Sequence, residues 1–145
     1  MEVVLQVLAY PILDYRVDTD AYYRHRERYE DFAGIAGYGA TFQDGIRWLW
    51  TQYLANPAQQ TNPEAVPLQA SSLAGVAPAL ILTAEHDILR PEGEEYAKRL
   101  AEAGVLVELR EFSGQIHGFL DGLGVLEDAV VAVEEIGAAL RKSCP

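Results

Sequence analysis

The amino-acid sequence predicts an α/β fold on three observations. Two runs, Val3 to Ala9 and Ala79 to Ala84, are almost wholly apolar, as expected of strands buried on both faces of a parallel sheet. A third run, Val105 to Phe112, follows the second after a stretch whose apolar residues recur at helical spacing, giving a strand–helix–strand unit. The C-terminal stretch repeats the helical period through Leu126, Ala129, Val130, Val133, Ile136 and Leu140. With 145 residues, half of them apolar, the chain has the size of about one domain and enough apolar surface for a core.

The first strand, Val3 to Ala9, is stopped by Pro11, which lacks the N–H that a strand needs. Ile12 to Tyr38 is dense in Tyr, Arg and acidic residues with little period; it reads as irregular, with a short helix around Tyr22 to Tyr29. A connection that long belongs to a binding segment or a lid, so residues 12–56 are taken as a pocket- or lid-forming excursion within one domain spanning 1–145. Thr41 and Asp44 have the spacing of a capping box before an apolar face of Ile46, Leu49, Trp50 and Tyr53. Trp48 and Trp50 fall on opposite sides of that helix, so one of them at most can face a pocket, and core packing suits Trp50. Asn56 to Ala70, rich in Pro, Gln and Asn, is a loop.

The second strand, Ala79 to Ala84, begins after Pro78 and ends at Glu85-His86-Asp87. Pro91 then stands at a helix start and Gly104 at its end, with Tyr96, Ala97 and Leu100 on the apolar stripe. The acidic run Glu92 to Glu95 suits the positive end of the helix dipole and reads as a solvated face. The third strand alternates more than the others and so lies nearer an edge. The last helix closes on Arg141 and Lys142, which suit the negative end of its dipole.

A net charge of −11 argues against nucleic acid and anionic membranes as partners, because both are held mainly by Lys and Arg. The single cysteine, Cys144, excludes an intrachain disulfide and any cysteine-rich metal site, and fits a reducing, cytoplasmic home. No apolar run reaches the roughly 18 residues of a membrane span, and Met1-Glu2 gives no positive start to a signal peptide. The chain therefore reads as soluble.

Two residues stand where chemistry is expected. Asp87 falls just past the C-terminal end of a buried parallel strand, where open α/β sheets place their sites; equally, it could cap the helix that follows. His117, in Ile116-His117-Gly118-Phe119, follows the next strand on the same side of the sheet. Across one crossover a carboxylate can hold the imidazole tautomer and leave the other ring nitrogen to act as a base. His25 and His86 have no metal-ligand spacing, so no metal site is expected.

Tyr10-Pro11-x-x-Asp14, Trp48-Leu49-Trp50-x-x-Tyr53-Leu54, Thr83-Ala84-Glu85-x-Asp87-x-Leu89-Arg90-x-Glu92-Gly93, Tyr96-Ala97-x-x-Leu100 and Ile116-His117-Gly118-Phe119 resemble, in order, the hormone-sensitive lipase-like esterases of the α/β-hydrolase fold. The resemblance implies a partial α/β-hydrolase fold, with three mainly parallel strands and flanking helices forming the C-terminal part of the sheet. It implies that Asp87 and His117 are the acid and base of a serine triad acting on small carboxylic esters, with Trp48 and Phe119 at the substrate. No metal or organic cofactor is implied.

The sequence departs from that family in two places. Pro91 stands where the family commonly has Asp. More consequentially, Ser71, Ser72, Ser113 and Ser143 are the only serines, none lies in a G-x-S-x-G turn, and no His-Gly-Gly run supplies an oxyanion hole. The nucleophile is expected from a missing N-terminal half or a second chain, and this chain alone is expected to be inactive. Ser113 near His117 is a weak substitute, since a nucleophile needs an oriented base and oxyanion donors together. The rival readings are a non-catalytic remnant of the fold and a small-molecule binding module built on Tyr22 to Trp50. The strand Val3 to Ala9 would leave an unpaired edge through which the chain is expected to self-associate.

Overall fold

The computed structural model describes residues 3–25 and 38–144. Three parallel strands, β1 (Gln6–Ala9), β2 (Ala79–His86) and β3 (Val107–Ile116), lie side by side in that order. Helix α1 (Tyr38–Tyr53) belongs to the excursion after β1, α2 (Arg90–Glu102) is the crossover from β2 to β3, and α3 (Glu127–Ser143) closes the described chain. Short 3-10 turns at Pro57–Thr61, Pro67–Gln69 and Phe119–Gly122 fill the connections.

The centre of the sheet is β2, and its side chains divide the core by simple alternation. Ala79 and Ile81 point to the layer that holds Tyr96, Ala97 and Leu100 of α2. Leu80, Leu82 and Ala84 point to the opposite layer, where Phe112, Phe119 and Ala129 and Ala132 of α3 lie. Burying each large aliphatic side chain here contributes about 1.5–3 kcal/mol. A third cluster, Val17, Tyr22, Ile46, Trp50, Val66, Ile88 and Leu89, seats the excursion on the turn between β2 and α2.

The α/β architecture, the helix between Pro91 and Gly104 and, among the described residues, the edge position of the third strand are as the sequence predicts; Gly104 has the left-handed φ of 75° that a helix end favours. Four local expectations are corrected. The first strand covers Gln6–Ala9 alone, and Val3 and Val4 are exposed, because among the described residues no strand pairs with the outer side of β1. The third strand continues past Phe112 to Ile116 through an irregularity opposite Ala84 to His86.

In the last helix, Ala129 and Ala132 are buried while Val130, Val133 and Leu140 are exposed. Small side chains let the helix sit close on the sheet, so its buried face is turned toward the alanines. Thr41 lies inside α1 rather than at its cap, since the helix already begins at Tyr38. Of the expected short helix around Tyr22 to Tyr29, residues 20–25 are helical, with the Tyr22 N–H donating to Thr19 Oγ1 over 3.3 Å, and residues 26–29 lie outside the described residues. Among the described residues no helix is long and apolar enough to cross a membrane.

Candidate active site

Parallel pairing of β2 and β3 puts both of their C-terminal ends on one side of the sheet. Asp87 follows β2 and His117 follows β3, and the two meet: His117 Nδ1 lies 2.9 Å from Asp87 Oδ2. The aspartate is 1% exposed. Its other oxygen, Oδ1, accepts the Leu89 N–H at 2.9 Å, so the capping role and the histidine-facing role are filled by different oxygens. An ionised carboxylate only accepts, so this contact favours the tautomer with its proton on Nδ1, which in the neutral imidazole leaves the lone pair on Nε2.

The imidazole is held from two sides. The Tyr10 ring lies 4.6 Å from it, centroid to centroid, and the Phe42 ring 5.0 Å. Tyr10 takes a φ of 38°, a left-handed backbone that a tyrosine adopts at a cost of about 1–2 kcal/mol. Its N–H still reaches the Leu82 carbonyl at 2.7 Å, closing β1 while turning the ring toward His117. Burial, with Asp121 and Asp87 nearby, raises the Tyr10 hydroxyl above its usual range, so it stays protonated and neutral beside the histidine.

The loop that delivers His117 is fixed by Glu85. Its carboxylate accepts from the Ser113 hydroxyl at 2.6 Å and the Gly114 N–H at 2.8 Å, and those bonds lower its pKa. Gly114 is left-handed, with φ 73°, where the strand becomes irregular. Ser113 thus donates to a carboxylate, which removes the arrangement it would need to be activated by His117.

A cleft of about 410 Å³ opens at His117 between Ile12, Phe42, Ile46, Trp48 and Leu49. That volume suits a small organic group. Trp48 is 61% exposed and forms part of this wall, while Trp50 is buried in the excursion's core, the division expected from their opposite sides of α1. Phe119 does not join the wall. It is buried beneath the sheet against Phe112 and Tyr10, so its expected place at the substrate is corrected to core packing: the left-handed Gly118, φ 80°, turns the chain inward directly after His117. Among the described residues no three His, Cys, Asp or Glu side chains cluster as metal ligands.

One residue of this region is not what the sequence suggests. Glu92, expected on a solvated face, is 4% exposed. Its Oε2 accepts the Asp14 N–H at 2.9 Å and also the Leu13 N–H, and its Oε1 accepts the Tyr22 hydroxyl. Burial outweighs these bonds and pushes its pKa up to about 7. The sequence signal was the helix's own stripe: Glu92 is four residues before Tyr96 and eight before Leu100, both buried, so it shares their side of α2.

The Asp87–His117 pair lies beyond the C-terminal ends of two parallel strands, where open α/β sheets carry their sites. The chain belongs to the alpha/beta hydrolase fold family, whose model matches residues 1–121. It is 39% identical over 141 residues to the carboxylic ester hydrolase LipN of Mycobacterium tuberculosis, covering 95% of this chain and 34% of that protein. To the ethyl acetate hydrolase of Pseudomonas putida it is 32% identical, covering 95% of this chain and 40% of that one. Among solved structures, the carboxylesterase EstE1 from a metagenomic library superimposes with a TM-score of 0.83 at 30% identity, over 99% of this chain and 46% of that one. The hyperthermophilic esterase of Pyrobaculum calidifontis does so with 0.79 at 32%, over 97% and 43%. The chain thus spans about two fifths of the length of these relatives.

Proposed function

We propose that this chain supplies the acid and the base of a serine carboxylic ester hydrolase, and that the nucleophilic serine and the oxyanion donors come from a segment outside these residues. The observation that carries the reading is the Asp87–His117 contact of 2.9 Å at the ends of neighbouring parallel strands. Asp87 keeps the proton on Nδ1 and stabilises the imidazolium that forms. His117 Nε2 takes the serine proton as the hydroxyl attacks the ester carbonyl, returns it to the leaving alcohol, and then activates water to release the acid. The apolar cleft bounded by Trp48 and Leu49, built by the excursion 12–56, takes one apolar group of a small ester. The similar proteins named as ester hydrolases support this class of substrate.

The test is a hybrid in which these residues replace the matching part of EstE1, assayed on a short-chain p-nitrophenyl ester. His117→Ala and Asp87→Asn should each lower kcat by on the order of 10³–10⁴, the latter by loss of tautomer control. Ser113→Ala should change it less than about two-fold, as expected of a side chain outside the reacting atoms. Undiminished rates in the first two variants would overturn the assignment.

A further inference from the structure

The geometry points to Glu92 as a positioning residue of the ester site: by binding the Leu13 and Asp14 N–H groups and the Tyr22 hydroxyl, it sets where the Ile12 wall stands against His117 and so how well an ester is held. This rests on the reading of the site as an esterase. Ile12 borders the cleft together with His117 and is the residue directly before Leu13. A bond at the Leu13 N–H therefore fixes the peptide plane from which Ile12 hangs.

The clamp is built for the task. Glu92 lies in the first turn of α2, five residues after Asp87. One short segment thus carries both the carboxylate that faces His117 and the carboxylate that binds the backbone beside the Ile12 wall. Tyr22 is itself buried and belongs to the cluster with Ile46 and Trp50 of α1, so the third bond ties α1, and with it Trp48 and Leu49, to the same point. Asp14 extends the network through its own carboxylate, which accepts from Arg16 Nε at 2.9 Å and from Gln69 Nε2 at 3.0 Å. A buried carboxyl raised to about 7 is an expensive way to hold a loop by packing alone, and a fixed wall in a catalytic cleft is the kind of second support that keeps reacting groups in register.

Measurements on the hybrid, per active site titrated with an organophosphonate, separate positioning from mere folding. Glu92→Leu should raise KM for a butyrate ester about ten-fold while kcat changes less than about three-fold, because ground-state and transition-state binding are lost together. Glu92→Gln should stay within about two-fold of the parent, since its amide oxygen can accept both N–H groups and its NH2 can donate to the Tyr22 oxygen. Tyr22→Phe, which breaks one bond without opening a cavity, should raise KM about three-fold and decides the matter if Glu92→Leu yields no titratable sites. KM unchanged in Tyr22→Phe, or in a titratable Glu92→Leu, overturns the proposal while leaving the esterase reading intact. A parent hybrid with no titratable site overturns both.

Discussion

Replacing Gly93 with alanine probes the contact that seats α2 on the sheet and holds Asp87 and Glu92 in place. A Cβ there would lie 2.8 Å from Thr83 Cγ2, 3.6 Å from Ile81 Cγ2 and 3.8 Å from Pro11 Cδ. Thr83 is buried at 1% exposure and, being β-branched, has little rotamer freedom, so relief requires the helix and strand to part. In an open helix the same change would stabilise by about 1 kcal/mol. Overpacking costs about 1–3 kcal/mol, and a contact this short belongs at the upper end, which leaves a net loss of about 1–2 kcal/mol.

Thr83→Ser deletes the offending methyl and keeps the Oγ1 that reaches the Arg110 carbonyl at 3.4 Å. The double variant should therefore recover most of the loss, giving a coupling of about 2 kcal/mol. Urea unfolding followed by circular dichroism at fixed protein concentration measures all four corners of the cycle. Gly93→Ala as stable as the parent, or a serine that brings no relief, would refute the close-approach argument.

Other outcomes follow from the same structure. Glu92 has its pKa raised from 4.5 to about 7 by burial, with Asp14 adding repulsion and Tyr22 and the backbone N–H groups opposing it. The folded chain therefore keeps this proton where the unfolded chain has released it: its contribution, about 3 kcal/mol, is fully present below about pH 4.5 and is lost as pH rises through 7. Glu92→Gln should flatten the stability profile over that window, and an unchanged profile would contradict the burial account. The outer side of β1 pairs with no described strand, so the isolated chain should self-associate there; Val4→Lys, at a position already 49% exposed, should shift sedimentation toward monomer. A monomeric parent at high micromolar concentration would count against that proposal.

The sequence made the kind and order of the elements legible because apolar runs and helical spacing separate strand from helix. The continuous apolar run of β2 and the Pro91-to-Gly104 frame of α2 needed nothing beyond local rules, and Asp87 and His117 were expected on one side of the sheet from the geometry of a parallel crossover. What failed was information held in other segments. Whether Val3 and Val4 are buried depends on a neighbour to β1, and which face of α3 is inside depends on how close alanines let it approach. The resemblance put Phe119 at the substrate, but the left-handed Gly118 turns the chain inward directly after His117 and Phe119 is buried. Glu92 was hidden by composition: an acidic run near a helix start is usually solvated, and only the arrival of Leu13, Asp14 and Tyr22, some seventy residues or more away in sequence, makes burial of one member tolerable.

The central claim is that His117, oriented by Asp87, activates a serine carried by another segment. Labelling of that serine by a fluorescent organophosphonate in the EstE1 hybrid, followed by mass spectrometry, reads this activation without need of turnover. The account predicts rapid labelling in the parent hybrid, a rate lowered on the order of 10²–10⁴ in His117→Ala, as expected for removal of a general base, and intermediate labelling in Asp87→Asn. Equal labelling rates in the parent and His117→Ala would contradict it.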